Sequence, residues 1–265
     1  MSGLRQRLVE RIRAHGPLTF AQYMEAALFD PDAGFYTRGP GIGQGGHFAT
    51  AAMAHPAFAA AIVAEAAATW EDLGQPRRFR VTEAGPGTGG LARRVSEGLA
   101  ERGVPHELVL IELSAGLQAR QRETLAGIDA LWVEHPAELK PASGFLYANE
   151  VLDALPVRLL QWPDEVMVDA DASGRLIETL QQAEPALSRL LTPQVEPRVG
   201  GRYAVRPSML PLVAALVGSV RRGRIALIDY GGVGAEVHDG RRPPVRTYIG
   251  GQQGGDPLQA PGTQD

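Results

Sequence analysis

Glu83, Glu112, Asn149, Glu150 and Asp153 are the side chains best placed to do chemistry in this sequence, because each stands where an apolar or alternating run gives way to turn residues. The runs 79–83, 107–112 and 144–149 read as strands, and the carboxyl ends of strands are where open α/β sheets hold ligands. Carboxylates at such an edge accept hydrogen bonds from hydroxyl groups, attract cations and repel phosphate. Directly after the first run comes Gly85-Pro-Gly-Thr-Gly-Gly90. Gly85, Gly87 and Gly89 have no Cβ to hold a ligand off the backbone, and they tolerate positive φ. The stretch from Arg80 to Gly90 therefore predicts strand, glycine turn and helix around a nucleotide-like cofactor.

Gly85, Gly87 and Gly90 fit the G-x-G-x-x-G spacing of dinucleotide sites, and Glu112 follows at about the distance of the acid that binds a ribose. That spacing admits both a nicotinamide cofactor and S-adenosylmethionine (SAM). Glu83, just before the turn, would repel a pyrophosphate but suits the ammonium of SAM, directly or through water. Pro86 removes an N–H that a phosphate-binding loop would use. A cationic cofactor is the expectation, with Glu112 accepting from both ribose hydroxyls. Ser114, which can cap a helix over 116–125, completes a cofactor-binding set of Glu83, Gly85, Gly87, Gly89, Glu112 and Ser114. Plainer readings exist for several of these: a turn built for packing alone, Glu112 as a capping or surface glutamate, and Asn149 and Asp153 as ordinary turn and cap residues.

The elements that must position these groups read as follows. Leu4, Leu8 and Ile12 predict an amphipathic first helix ended by Gly16 and Pro17, and Thr19 can cap a second. After the glycine-rich stretch 39–46, residues 57–70 are alanine-rich and helical by propensity. Helix 91–100, strand 107–112, helix 116–125, strand 131–133 and strand 144–149 then alternate, as in a mostly parallel sheet with helices on both faces. Residues 163–211 are less regular, with short antiparallel strands expected at 166–168, 175–177 and 203–205. Helix 210–220 and a fifth parallel strand at 224–231 resume the pattern. The expected organisation is an N-terminal helical segment with a glycine-rich lid (1–75), a cofactor-binding core (76–162), an inserted substrate-facing region (163–209) and the remainder of the core (210–265).

Composition narrows the classes. The 265 residues carry a net charge of −4 with interspersed signs, which does not describe a nucleic-acid surface. The absence of cysteine excludes disulfides, thiolate metal sites and a cysteine nucleophile, and the six histidines lack metal-ligand spacing. No apolar run reaches the roughly 18 residues of a membrane span, and the charged N-terminus lacks a secretory core. A cytoplasmic protein with no nucleic-acid, membrane or metal partner is the expectation.

Four stretches carry a resemblance. Gly16-Pro-Leu-Thr-Phe-Ala-Gln-Tyr-Met-Glu-Ala-Ala-Leu-Phe-Asp-Pro-Asp-Ala-Gly-Phe-Tyr36, the turn at 80–90, Asn149-Glu-Val-Leu-Asp-Ala-Leu-Pro156 and the Asp229-Tyr-Gly ending of the fifth strand closely resemble the MidA-like SAM-dependent methyltransferases. That family includes a mitochondrial complex I assembly factor. The resemblance implies a Rossmann-like class I methyltransferase core, SAM as cofactor, and a protein arginine side chain as acceptor. Asn149, Glu150 and Asp153 would then face the acceptor as the catalytic set, Glu150 and Asp153 holding the guanidinium. The family's Gly-Asp-Phe-x-Thr-Ser-Pro-Glu segment is altered here to Gly46-His-Phe-Ala-Thr-Ala-Ala-Met53, which removes two carboxylates beside a cationic cofactor. By resemblance the polypeptide also lacks the C-terminal strands, about two, that would cover the fifth strand. The partners implied are a protein substrate or a small-molecule acceptor, with a homodimer as the oligomeric alternative. Three other functions fit parts of the chain: a non-catalytic assembly chaperone on a methyltransferase fold, a small-molecule O- or N-methyltransferase, and, weakest, an NAD-dependent oxidoreductase.

Overall fold

In this computed structural model, residues 3–38, 56–191, 195–232, 234–249 and 252–264 are described. The lid stretch 39–46 and the altered segment 46–53 lie outside them. Leu4, Leu8, Val9 and Ile12 form the buried stripe of α1 (Leu4–His15), and Gly16, at φ +90°, ends it. After β1 (Leu18–Thr19), Thr19 caps α2 (Phe20–Phe29) with a reciprocal box: its hydroxyl accepts the Gln22 N–H, and the Gln22 side chain accepts the Thr19 N–H. The one-turn α3 (Phe35–Arg38) follows.

Beyond α4 (Pro56–Asp72), strands and helices alternate: β2 (Arg80–Ala84), α5 (Gly90–Glu101), β3 (Glu107–Ile111), α6 (Ala115–Thr124), β4 (Ala130–Val133) and β5 (Ala142–Asn149). Antiparallel strands β6 (Arg158–Gln161), β7 (Asp164–Ala170), β8 (Leu176–Gln182) and β9 (Arg202–Val205) interrupt the alternation, with the short α7 (Pro185–Ser188) among them. It resumes with α8 (Met209–Ser219) and β10 (Val220–Ile228).

The described residues fall into two compact units, each discontinuous in sequence. One draws on Met1–Arg38, Leu155–Met209 and Gly231–Asp265, the other on Gly39–Ala154 and Leu210–Tyr230. These units cut across the segments expected from sequence, because β1 pairs with β7, Leu18 opposite Val168, and so joins the N-terminal helices to the interrupting strands. In that unit the sheet runs β1-β7-β6-β9, with β8 on β7, and α1 and α2 bury Leu8, Ile12, Phe20 and Tyr23 with its Val166 and Val168. The expected short strands are present and longer; β6 was not foreseen, since Leu159-Leu160 is too short an apolar run to show alternation.

The second unit holds a wholly parallel sheet in the order β10-β5-β2-β3-β4. Successive residues of β5 serve opposite faces: Phe145 and Tyr147 pack with α4 and α5 residues such as Val63, Val95 and Leu99, while Leu146 and Ala148 pack with Val109 and Leu216. Such two-sided burial explains the near-continuous apolar runs of these strands. The strand order reverses at β2, with β3 and β4 on one side and β5 and β10 on the other. That reversal opens a crevice at the carboxyl edge. Ala84 lies opposite both Ile111 and Ala148, so the loops after β2, β3 and β5 leave the sheet at one level. Among the described residues no strand pairs with the outer edge of β10.

Candidate active site

The turn after β2 is held by hydrogen bonds from the Gly85 N–H to the Ile111 carbonyl (3.0 Å) and from the Gly89 N–H to the Pro86 carbonyl (2.8 Å). Gly85, Gly87 and Gly89 all have positive φ, at +63°, +54° and +83°, a region L side chains rarely adopt. A Cβ on Gly85 would also stand 2.6 Å from Val151 Cγ2, in the loop after β5. The glycines thus let two neighbouring loops meet as well as leaving the backbone bare. Gly89 caps α5 in the left-handed conformation and offers no side-chain cap.

Glu83 supplies that cap from beneath. It is 3% exposed, and its carboxyl group accepts the Ala92 N–H of the first turn of α5 and the Tyr147 hydroxyl at 3.0 Å. Burial outweighs both hydrogen bonds and pushes its pKa up to about 8, so the group is predominantly neutral at pH 7 unless a cation sits beside it.

Glu112 leaves the end of β3 at 8% exposure. Its Oε1 accepts the Ser114 N–H at 2.8 Å, and its Oε2 accepts the Gln121 side-chain N–H at 3.0 Å. Burial raises its pKa, while these bonds and one from the Leu113 N–H oppose the rise. Ser114 has two structural duties: its N–H serves Glu112 and its hydroxyl caps α6 by accepting the Leu117 N–H at 3.2 Å. Gln121, fully buried on α6, also donates to the Gly87 carbonyl at 2.8 Å and accepts from the Trp132 indole at 2.9 Å.

Asn149 ends β5, and the loop after it carries Glu150 and Asp153. Glu150 adopts φ +52°, and its N–H continues the parallel ladder to the Ile228 carbonyl at 2.9 Å. Asp229, just past β10, anchors the loop: its Oδ2 accepts the N–H groups of Leu152 and Asp153 at 3.0 and 3.1 Å. Burial and then the nearby Asp153 raise the pKa of Asp229. A glutamate in the left-handed region costs about 1 kcal/mol or more, and glycine relieves that strain. Glu150→Gly is therefore expected to hold or raise the melting temperature. A loss of stability in thermal melts would show that the side chain's contacts outweigh the backbone strain.

All the residues named from sequence thus lie on one unit, at the carboxyl ends of β2, β3 and β5 or in the loops that follow them. Gln121, Tyr147 and Asp229 were not in that set. Gln121 had a legible signal, a polar residue in register with Leu117 and Leu125 on the buried face of α6. The fit to a cationic adenosine cofactor rests on this donor set: bare turn backbone, a buried acid level with it on the next strand, and acids on both sides of the crevice.

Comparison with known proteins agrees. The profile of a family of S-adenosyl-L-methionine-dependent methyltransferases matches residues 61–265, and the chain belongs to that family. A crystal structure from Burkholderia thailandensis bound to S-adenosyl-homocysteine is 29% identical and superposes with a TM-score of 0.85, covering 99% of this chain and 71% of that one. The chain is 27% identical over 298 residues to the Drosophila melanogaster "Protein arginine methyltransferase NDUFAF7 homolog, mitochondrial", covering 99% of this chain, and 25% identical over 290 residues to the Danio rerio NDUFAF7 protein, covering 97%. It spans about two thirds of their length, 66% and 67%. The fold is the Rossmann-like core of SAM-dependent methyltransferases, and SAM is the cofactor of the family.

The expectation of a cytoplasmic protein is corrected by these relatives, which are named mitochondrial. It had rested on the lack of a secretory core and of a membrane span, and neither feature specifies a compartment. No helix of the described residues is long and apolar enough to cross a membrane.

Proposed function

We propose that this protein transfers a methyl group from SAM to the guanidinium of an arginine in a protein substrate. The observation that carries the reading is the placement of Glu150 and Asp153 on the loop after β5, beside the glycine turn that Gly85 brings against Val151. Relatives named protein arginine methyltransferases support the acceptor class.

SAM supplies an electrophilic methyl carbon; the rest is work for the chain's own side chains. The turn at 85–89 and Glu112 bind and orient the cofactor, the acid taking the ribose hydroxyls. Glu83, buried against the first turn of α5, ionises when the ammonium approaches and so favours a cation over a neutral analogue. Glu150 and Asp153 would accept N–H bonds from the guanidinium and leave one nitrogen aimed at the methyl; as the C–N bond formed and the S–CH3 bond broke, S-adenosyl-homocysteine would be the leaving group and one of the two carboxylates would take the proton released. Asp229 holds the N–H groups of Leu152 and Asp153, fixing the loop without touching the acceptor. Alignment of nucleophile and methyl is the main source of rate, an effect worth several kcal/mol, up to about 7–11 in well-oriented systems.

Turnover on arginine-containing peptides, followed by transfer of labelled methyl, tests the assignment. Glu150→Gln and Asp153→Asn should each lower the rate by about 10²-fold or more while leaving S-adenosyl-homocysteine affinity unchanged. Wild-type rates in both variants would remove these residues from the mechanism. Cofactor binding with no turnover on any protein or small-molecule acceptor would instead favour an assembly role.

A further inference from the structure

Gln121 has no exposed surface, yet its amide makes three hydrogen bonds to three separate elements of the cofactor site. Its Nε2 donates to the Gly87 carbonyl at 2.8 Å and to Glu112 Oε2 at 3.0 Å, and its Oε1 accepts from Trp132 Nε1 at 2.9 Å. An indole N–H can only donate, so Trp132 fixes which end of the amide faces it. Both amide hydrogens are thereby left to the turn and to the acid. The Cβ and Cγ of Gln121 also lie 3.4–3.5 Å from where a Cβ on Gly89 would stand, so the side chain floors the turn as well as bonding to it. Arg122, next along α6, stacks on the Trp132 ring at 4.1 Å and steadies the indole.

An apolar side chain of this size would leave the Trp132 N–H, the Gly87 carbonyl and one oxygen of Glu112 to find new partners in a buried place. Packing alone would not select glutamine here.

We infer that Gln121 is a positioning residue for the cofactor: it orients the Glu112 carboxylate toward the ribose hydroxyls and ties that acid to the Gly87 turn. Discrimination between ribose and deoxyribose is then set in part by a side chain that does not reach the ligand. The inference rests on the assignment of Glu112 to the ribose. Among the described residues, the groups facing Glu112 are the N–H groups of Leu113 and Ser114 and the Gln121 amide, without a charged side chain among them. Loss of the amide donor therefore moves the protonation of Glu112 toward higher pH.

The test is calorimetric titration with S-adenosyl-homocysteine and its 2′-deoxy analogue, from mildly acidic to mildly basic pH, on wild type, Glu112→Gln, Gln121→Met and Trp132→Phe. Glu112→Gln is expected to weaken binding and erase the preference for the 2′-hydroxyl. Gln121→Met should weaken S-adenosyl-homocysteine by about tenfold to a hundredfold. It should also shrink the preference for the hydroxyl and move the acid limb of the affinity profile to higher pH. Trp132→Phe, which frees the amide to turn, should change preference and profile in the same direction by less. A Gln121→Met protein that matches wild type in affinity, preference and acid limb overturns the inference. Should that variant not fold, an unchanged preference and acid limb in Trp132→Phe overturns it equally. If Glu112→Gln itself retains affinity and preference, the ribose assignment is what has failed, and the inference fails with it.

Discussion

Gly87→Val is expected to abolish measurable SAM binding while leaving a folded protein. Gly87 stands at φ +54° in the middle of the turn, and a β-branched residue held there costs about 1–3 kcal/mol. The more damaging effect falls on the ligand. The two methyl groups of valine would occupy the space that bare backbone leaves for the cofactor, or the turn would rearrange and carry away the carbonyl bonded to Gln121. Micromolar affinity corresponds to about −8 kcal/mol, and a loss of more than a hundredfold removes about 3 kcal/mol of it. Calorimetry on wild type and variant, with thermal melts to confirm folding, reads the result. Wild-type affinity in Gly87→Val would mean that SAM does not lie over this turn, and the cofactor site would have to be sought elsewhere.

Glu83→Gln should change how stability depends on pH. In the wild-type protein without cofactor, burial raises the pKa of Glu83 from the ordinary glutamate value of 4.5 to about 8. The folded state therefore keeps a proton that the unfolded chain gives up. Stability from this group is complete below about pH 4.5 and is lost progressively as pH rises toward about 8, a fall on the order of 5 kcal/mol at its largest. Glutamine retains an acceptor oxygen for Tyr147 and the Ala92 N–H and does not ionise, so the variant should lack this slope. Urea unfolding midpoints of both proteins across that window isolate the effect as a difference. Parallel curves would show that Glu83 is already ionised in the free protein. SAM binding should release a proton below about pH 8, because the ammonium favours the charged acid, and calorimetry in buffers of different ionisation enthalpy detects it.

Much of the parallel unit could be read in the residues. The switch from alternating to helical spacing around Gly85-Pro-Gly-Thr-Gly-Gly90, and the acid ending the next strand, are local signals, and local signals fix where a loop leaves a strand. Ser114 was legible as a cap for the same reason, and the structure gives its hydroxyl that duty. What could not be read was set by pairing between distant residues. Nothing near Leu18 announces that it will face Val168, so the N-terminal helices and the interrupting strands were expected as separate segments. The duty of Glu83 was half legible. Its place before the turn suggested a cation, but its bonds to Tyr147 and to the first turn of α5 depend on β5 lying beside β2. Asp229 was visible as a strand-ending acid, yet its service to the loop after β5 follows only from β10 pairing with β5.

The interleaving of the two units has a consequence for biosynthesis. Each is assembled from stretches separated in the chain, and β10 pairs with β5, Ile228 opposite Asn149, only after all of β6 to β9 has been made. A nascent chain therefore cannot complete the units one after the other as they emerge. The parallel unit waits for Tyr230, and the other waits for residues beyond it. Contacts of such long sequence separation fold slowly and leave unpaired strands exposed meanwhile. The open edge of β5 in a half-made chain is thus the point at which translation speed and chaperone capture would govern the yield of folded protein.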